Sequence, residues 1–256
     1  MKVKTVLSAF IFLFSITDAY AEMPLISNVL KEVEDIQEMT EDIKAKVVLT
    51  QQKVEQGVKV IEMNYYRRDV DDSFLIVMTG PETEKGNGYL RVSDNFWMYR
   101  RNTRTFQHIN RDESIGGSDA SADDFETRKL TELYAGAKDN NGSELISEVK
   151  LGKIMTYKVE VTAIVKDVDY PKKIYWVKKD GYLPLKEQSF SSSGTLMQTA
   201  YYIKYTTVNE KYVAVKHMYI DEFEKGNKTL VDISNISTKK LDNKIFTKAY
   251  LENLSK

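Results

Sequence analysis

From Ile154 to Ile236 the chain repeats one pattern: apolar and polar residues alternate in short runs broken by hairpin-type punctuators. In Ile154–Ala163, Met155, Tyr157, Val159, Val161 and Ala163 fall on one side, and Thr156, Lys158, Glu160 and Thr162 on the other. A period of two is the mark of a strand with one covered face. Runs at 173–178, 183–190, 195–207, 211–222 and 229–236 follow, separated by Asp180-Gly181, the small residues 191–194, Asn209-Glu210 and Gly226-Asn227. These are turn residues, so consecutive strands are expected to be antiparallel neighbours.

The first half extends the series. Residues 44–56, 57–68, 73–79, 89–92, 96–101 and 105–111 read as strands, with a turn or mobile loop expected at 81–88. The total is about eleven strands in meander order. So many sequential strands curl to avoid long unpaired edges, and the expected architecture is mainly β with helices: an antiparallel barrel or half-barrel, a curved sheet wrapped around helices. The composition agrees, with 16 Tyr and 10 Phe beside only 4 Pro. Phe74-Leu75-Ile76-Val77-Met78 is apolar on both parities, so something must cover both faces there, and helices are the available material. Residues 25–43 carry a helical stripe of Ile26, Leu30, Val33, Ile36, Met39 and Ile43, with Ser27 as the expected N-cap. A short helix capped by Asp123 or Asp124 is expected to reach Tyr134, and 243–254 reads as a closing helix through Phe246, Tyr250 and Leu254.

The N-terminus reads as an address. Lys2 and Lys4 precede an apolar run at 5–17 and then Ala19-Tyr20-Ala21, the form of a secretory signal peptide cleaved after Ala21. At about 1.5 Å per residue the run falls short of a bilayer core of about 30 Å. Residues 22–256 then form one domain, long enough to be held by its core without disulfides, in the periplasm.

Several chemistries are excluded or left unsupported. With no cysteine there is no thiol nucleophile, Cys-ligated metal or lipid-modified N-terminal Cys. The 37 basic and 38 acidic side chains leave no electrostatic footprint for nucleic acid. His108 and His217 both fall in strands, without a nucleophile-elbow context. The acidic clusters at Asp69/Asp71/Asp72, Asp119/Asp123/Asp124 and Asp221/Glu222/Glu224 lack calcium-loop spacing and read as turn caps and solvated hairpin ends, so neither a metal nor a cofactor is expected. The arginine-rich segment 99–111, with its interleaved aromatics, fits a contact with nucleic acid or lipid headgroups, or a basic strand edge, which the near-neutral overall charge favours. No catalytic constellation emerges. A large apolar inner surface remains, which periodicity alone does not resolve into a solid core or a cavity.

One stretch carries a resemblance. Gly88-Tyr89-Leu90-Arg91, Asn95-Phe96-Trp97-Met98-Tyr99-Arg100 and the loop from Ser114 through Gly116-Gly117-Ser118-Asp119 to Asp123-Asp124-Phe125 are similar to the LolA-like family of outer-membrane lipoprotein-sorting proteins. That family's pattern is a G-x-x-L strand, a W-x-Y strand and a G-S-D-x-S-x-x-D loop. The similarity is best over residues 73–134. This chain departs from it with Arg100 where the family often has Pro, and with Gly-Gly-Ser in place of Phe-Gly-Ser.

The resemblance implies a half-closed barrel with a helical lid and a non-covalent activity: binding lipoprotein acyl chains or another lipid and delivering them toward the outer membrane. It implies an inner-membrane exporter and an outer-membrane acceptor as partners, peripheral membrane contact only, and a monomer. Phe74, Ile76, Met78, Trp97, Tyr99, Tyr157, Val159 and Val161 are the expected cavity lining, and the Gly117-Ser118-Asp119 loop is expected to be structural. Two rivals stand beside this reading, a non-transporting sensor on the same scaffold and an envelope hydrolase using a carboxylate pair or His217.

Overall fold

The computed structural model describes residues 23–110, 113–118 and 128–255; the expected signal peptide, the stretch Asp119 to Phe125 and the capping Asp123 and Asp124 lie outside them. The described chain forms one antiparallel sheet of fourteen strands, more than the eleven or so expected. The strands are β1 (Ile43–Lys53), β2 (Gly57–Arg68), β3 (Ser73–Gly80), β4 (Gly88–Val92), β5 (Asn95–Arg100), β6 (Thr105–His108), β7 (Tyr134–Gly136), β8 (Ile146–Leu151), β9 (Ile154–Ala163), β10 (Lys172–Lys178), β11 (Pro184–Phe190), β12 (Leu196–Val208), β13 (Lys211–Asp221) and β14 (Lys228–Ser237). Two meanders, β1 to β6 and β9 to β14, join where β1 pairs with β14.

The strands outside the runs read from the sequence are β7 and β8. They share the outer edge of β9, β8 pairing Ile146↔Val159 and β7 taking over at Gly136↔Val161. β7 is too short to show a period, and β8 (ISEVKL) has apolar residues on both parities. Edges β6 and β7 do not pair with each other, so the sheet is open and curled rather than closed into a barrel. The curl is nonetheless deep: Arg91 of β4 and Glu187 of β11, far apart in strand order, line one cavity.

Helices cover both faces, which corrects the expectation of a barrel wrapped around helices. Helix α1 (Ile26–Gln37) lays Ile26, Val29, Leu30 and Val33 on Tyr157, Val159, Val161, Tyr175 and Val177 of the concave face. It ends before the expected Ile43: Glu38 leaves the helix in an extended conformation, and Ile43 opens β1 instead. Ser27 is not its cap. Leu25 holds that position, and the Glu144 carboxylate accepts from the Ile26 amide at 2.6 Å. The middle helix is a single turn, α2 (Leu130–Leu133).

The opposite face is closed by a 3₁₀ turn (Asn243–Phe246) and α3 (Lys248–Leu254), where one closing helix was expected. Thr247 separates them, its hydroxyl accepting from the Tyr250 amide at 3.2 Å as the cap of α3. Ile245, Phe246 and Leu251 pack on Tyr66, Leu75, Val77, Leu90 and Tyr99. Strand β3 is therefore buried twice over, Phe74, Ile76 and Met78 inward and Leu75 and Val77 beneath this C-terminal segment. The approach is close: a Cβ on Gly88 would lie 2.5 Å from the Ile76 carbonyl oxygen and 2.6 Å from Leu251.

Candidate ligand cavity

A cavity of about 1310 Å³ lies between α1, α2 and the concave face of both meanders, larger than a pocket for a drug-sized molecule. Its two walls differ in chemistry because inward positions differ. On β1, β2 and β14 those positions are Val47, Tyr65, Arg67, Val231 and Ile233, and α1 and its exit add Val33, Met39 and the charged Lys31, Glu34, Asp35 and Glu38. On β10 to β13 they are Lys173, Glu187, Gln198, Tyr202, His217 and Tyr219. Register places these together: Tyr175↔Glu187, Glu187↔Ala200 and Ala200↔Tyr219 make one inward row, and Tyr202↔His217↔Val231 the next.

The centre of the polar wall is an ion pair, Lys173 Nζ to Glu187 Oε1 at 2.7 Å, with side chains 20% and 11% exposed. Glu187 also accepts from Ser189 Oγ at 3.1 Å and from the Tyr202 hydroxyl at 3.1 Å. Burial opposes the Lys173 charge, but the Glu187 carboxylate outweighs it, and the ammonium titrates well above an ordinary lysine. Burial pushes the Tyr175 and Tyr202 phenols up, so both stay neutral hydroxyls. His217 sits edge-on to Tyr219, with ring centroids 5.3 Å apart. Burial lowers its imidazole to about 4, only partly countered by Asp232, and its buried Nδ1 has no hydrogen-bond partner. At the rim, Arg67 pairs with Asp69 at 2.8 Å, and Arg128 donates to the Asp167 carbonyl at 2.7 Å.

None of the eight residues expected to line this space does so. Phe74, Ile76 and Met78 face inward but are sealed in solid core with Met63, Tyr89 and Phe96. Tyr157, Val159 and Val161 are covered by α1. Trp97 and Tyr99 are on the other face altogether. Registers Leu90↔Trp97 and Gly88↔Tyr99 put them beneath the C-terminal segment, with Lys248 Nζ 4.2 Å from the Trp97 ring, while Phe96 and Met98 point inward. Because β5 is apolar on both parities, its pattern carries no information about which is inside. Conversely, nothing in the apolar/polar alternation of β11 distinguishes the inward Glu187 and Ser189 from solvent-facing residues; the signal for the polar wall is Tyr175, Tyr202 and Tyr219 recurring on neighbouring strands.

The described part of the Gly-Gly-Ser loop is structural. Gly116 and Gly117 have φ of 61° and 72°, and Gln51 Nε2 and Lys59 Nζ donate to their carbonyls at 2.8 Å (Gly117) and 3.0 Å (Gly116). The Tyr89 hydroxyl accepts from the Gly116 amide at 3.0 Å, and Ile115 is fully buried. Asp71 pairs with Arg68 at 2.7 Å, and Asp221 accepts from the amides of Phe223 and Glu224 at 2.9 and 2.7 Å, so these acids do serve turns. His108 lies on edge strand β6 against Trp97, far in strand order from His217. Among the described residues no cluster of three or more His, Asp or Glu is arranged for a metal, and no helix is long and apolar enough to cross a membrane.

This curled sheet with a lidded concave face is the LolA-like fold. It is similar to a LolA superfamily protein from Nitrosomonas europaea (TM-score 0.74, 18% identity, 89% of this chain and 100% of that one). An outer membrane lipoprotein-sorting protein domain from Vibrio parahaemolyticus superposes with a TM-score of 0.75 at 19% identity, over 88% of this chain and 97% of that domain. A DUF1329 family protein from Desulfovibrio piger gives the same figures, TM-score 0.75, 19% identity, 88% and 97%. A family model described as "Uncharacterized protein" matches residues 70–253, and the chain belongs to that family. No curated protein matches the sequence.

Proposed function

We propose that the protein is a periplasmic, non-catalytic carrier that takes a lipid or the acyl chains of a lipoprotein into the concave cavity, shields them from water and delivers them toward the outer membrane. The observation that carries this reading is the cavity itself, about 1310 Å³ between an amphipathic helix and a curled sheet. Burial of acyl chain against the partly exposed Leu130, Leu133, Val213 and Ile233 contributes about 0.8 kcal/mol per CH₂, so a partly buried chain supplies ample affinity. Release then requires the lid to move, and α1 is built for it. Beyond its apolar stripe it is tied by few polar contacts, among them Glu144 to the Ile26 amide, Thr131 to Glu34 at 2.7 Å and Lys211 to the Asp35 carbonyl at 2.6 Å. An inner-membrane donor and an outer-membrane acceptor complete the scheme. Native mass spectrometry with lipid extraction, on protein purified from its own envelope, tests the reading. Co-purifying acylated species are expected, and protein that never carries lipid overturns it.

A further inference from the structure

The polar wall is at odds with a cavity meant only for acyl chains. A buried polar group facing an alkyl chain loses its water without replacement, a penalty of kilocalories per group. Here such groups occupy neighbouring inward positions of β10 to β13, and the facing side is mixed, with Arg67, Asp69, Arg91 and Asp94 beside Val231 and Ile233. The wall has donors and acceptors but no spare charge. Lys173 is neutralised by Glu187 at 2.7 Å, and the remaining members are tyrosine hydroxyls, the Gln198 amide and an imidazole whose Nδ1 is unsatisfied. An anionic head seated on this wall would lose its hydration beside a lysine already paired with Glu187, in a cavity whose lining carries more carboxylates than Lys and Arg side chains. A head bearing hydroxyl or carbonyl groups would exchange hydrogen bonds with the wall one for one.

We propose that the wall formed by Lys173, Glu187, Tyr202, His217 and Tyr219 seats the head group of the cargo, and that the cavity selects amphiphiles with an uncharged, hydrogen-bonding head over those with an anionic one. The chain of such an amphiphile lies toward Ile233 and the Leu130 and Leu133 side chains of α2, and its head points to β10–β13. This rests on the carrier reading of the same cavity and assigns its chemical selectivity. Glu187 enforces the selectivity by cancelling the lysine charge, so its removal should change which head is preferred rather than simply weaken binding.

The test is displacement of the fluorescent apolar probe N-phenyl-1-naphthylamine from the full chain by three amphiphiles with equal alkyl chains: monolauroylglycerol, laurate and dodecyl phosphate. In the wild type, monolauroylglycerol is expected to displace the probe at about tenfold lower concentration than either anion. In Glu187→Gln the unpaired Lys173 should reverse the order, with dodecyl phosphate gaining about tenfold. His217→Phe, which leaves the ion pair in place, should weaken monolauroylglycerol several-fold and leave laurate unchanged, and it serves if Glu187→Gln does not fold. Equal displacement by all three, or preference for an anion in the wild type, overturns the head-group assignment while leaving the carrier reading intact. Failure of the protein to take up the probe at all overturns both.

Discussion

Lys173→Met tests whether the ion pair is the organising element of the cavity wall. Both partners are largely removed from solvent, at 20% and 11% side-chain exposure, and lie 2.7 Å apart. Removing one member of such a pair leaves a buried charge and generally costs about 3–5 kcal/mol. Glu187 would keep its Ser189 and Tyr202 donors and would face a cavity rather than solid protein, which places the loss at about 3 kcal/mol, the low end. The pair itself contributes much less than that. Lys173→Met combined with Glu187→Gln, which removes both charges and keeps the carboxylate's shape, should therefore cost only about 1 kcal/mol. With a urea m-value of about 2–3 kcal/mol/M, the single variant shifts the unfolding midpoint down by about 1 M or more, and the double variant restores most of it. Since the lysine titrates higher folded than unfolded, the stabilisation is complete below the ordinary lysine pKa and drains away only as pH rises through the folded value. The difference between wild type and variant should accordingly be flat through neutral pH. A Lys173→Met protein within 1 kcal/mol of wild type, or a double variant weaker than the single, refutes the argument.

Other consequences are open to simple measurement. His217 titrates at about 4 folded, against an ordinary value of 6.5, so its contribution is full above 6.5 and is lost as pH falls through that interval, on the order of 3 kcal/mol. Denaturation at neutral and mildly acid pH should show the slope in the wild type and a flatter one in His217→Phe. Gly88→Ala forces a methyl group against the Ile76 carbonyl and Leu251, and should lower stability by about 1–3 kcal/mol in thermal melts. Trp97→Ala should destabilise the fold through lost contact with the C-terminal segment yet leave probe affinity unchanged; a Trp97 variant that folds normally but loses the probe contradicts its place on the outer face. Glu144→Ala removes the acceptor at the start of α1, with an expected loss of about 1 kcal/mol and faster hydrogen exchange at the amides of Ile26 and its neighbours.

Much of the fold was legible because strands announce themselves twice, by alternation and by the turns between them. Residues 57–68 and 154–163 were delimited by Gln56-Gly57, by the acids after Arg68 and by a clean period of two, and β2 and β9 keep those bounds. The doubly apolar run in β3 correctly required two covers, and α3 supplies the second. What did not follow was closure: whether a fourteen-stranded meander seals or stays open depends on twist and on edge strands, and β7 and β8 were the segments with no readable period. The stripe of α1 ran on into Met39 and Ile43 because both are buried, but as an extended segment and the first residue of β1.

The cavity was illegible for a reason that bears on what it does. An apolar/polar reading assigns apolar residues to the inside, so it finds solid core, and Phe74, Ile76, Met78, Tyr157, Val159 and Val161 are indeed solid core. A cavity that must hold a polar group is the place where that assignment inverts. On β11 the inward side carries Glu187 and Ser189 while Phe190 faces outward, and across β10 to β13 the inward row includes Lys173, Tyr202 and His217. A chain selected only for stability would fill those positions with aliphatic residues, since a well-packed apolar substitute is commonly as stable as a buried ion pair. On the carrier reading the retained charges mark a wall whose partner is the cargo, and local rules break where a site is built. Replacing Lys173 and Glu187 together by Met and Leu should on this argument leave stability near wild type or above it while abolishing discrimination between monolauroylglycerol and laurate. A double variant that keeps the wild-type order of displacement would show that the pair serves the fold and not the cargo.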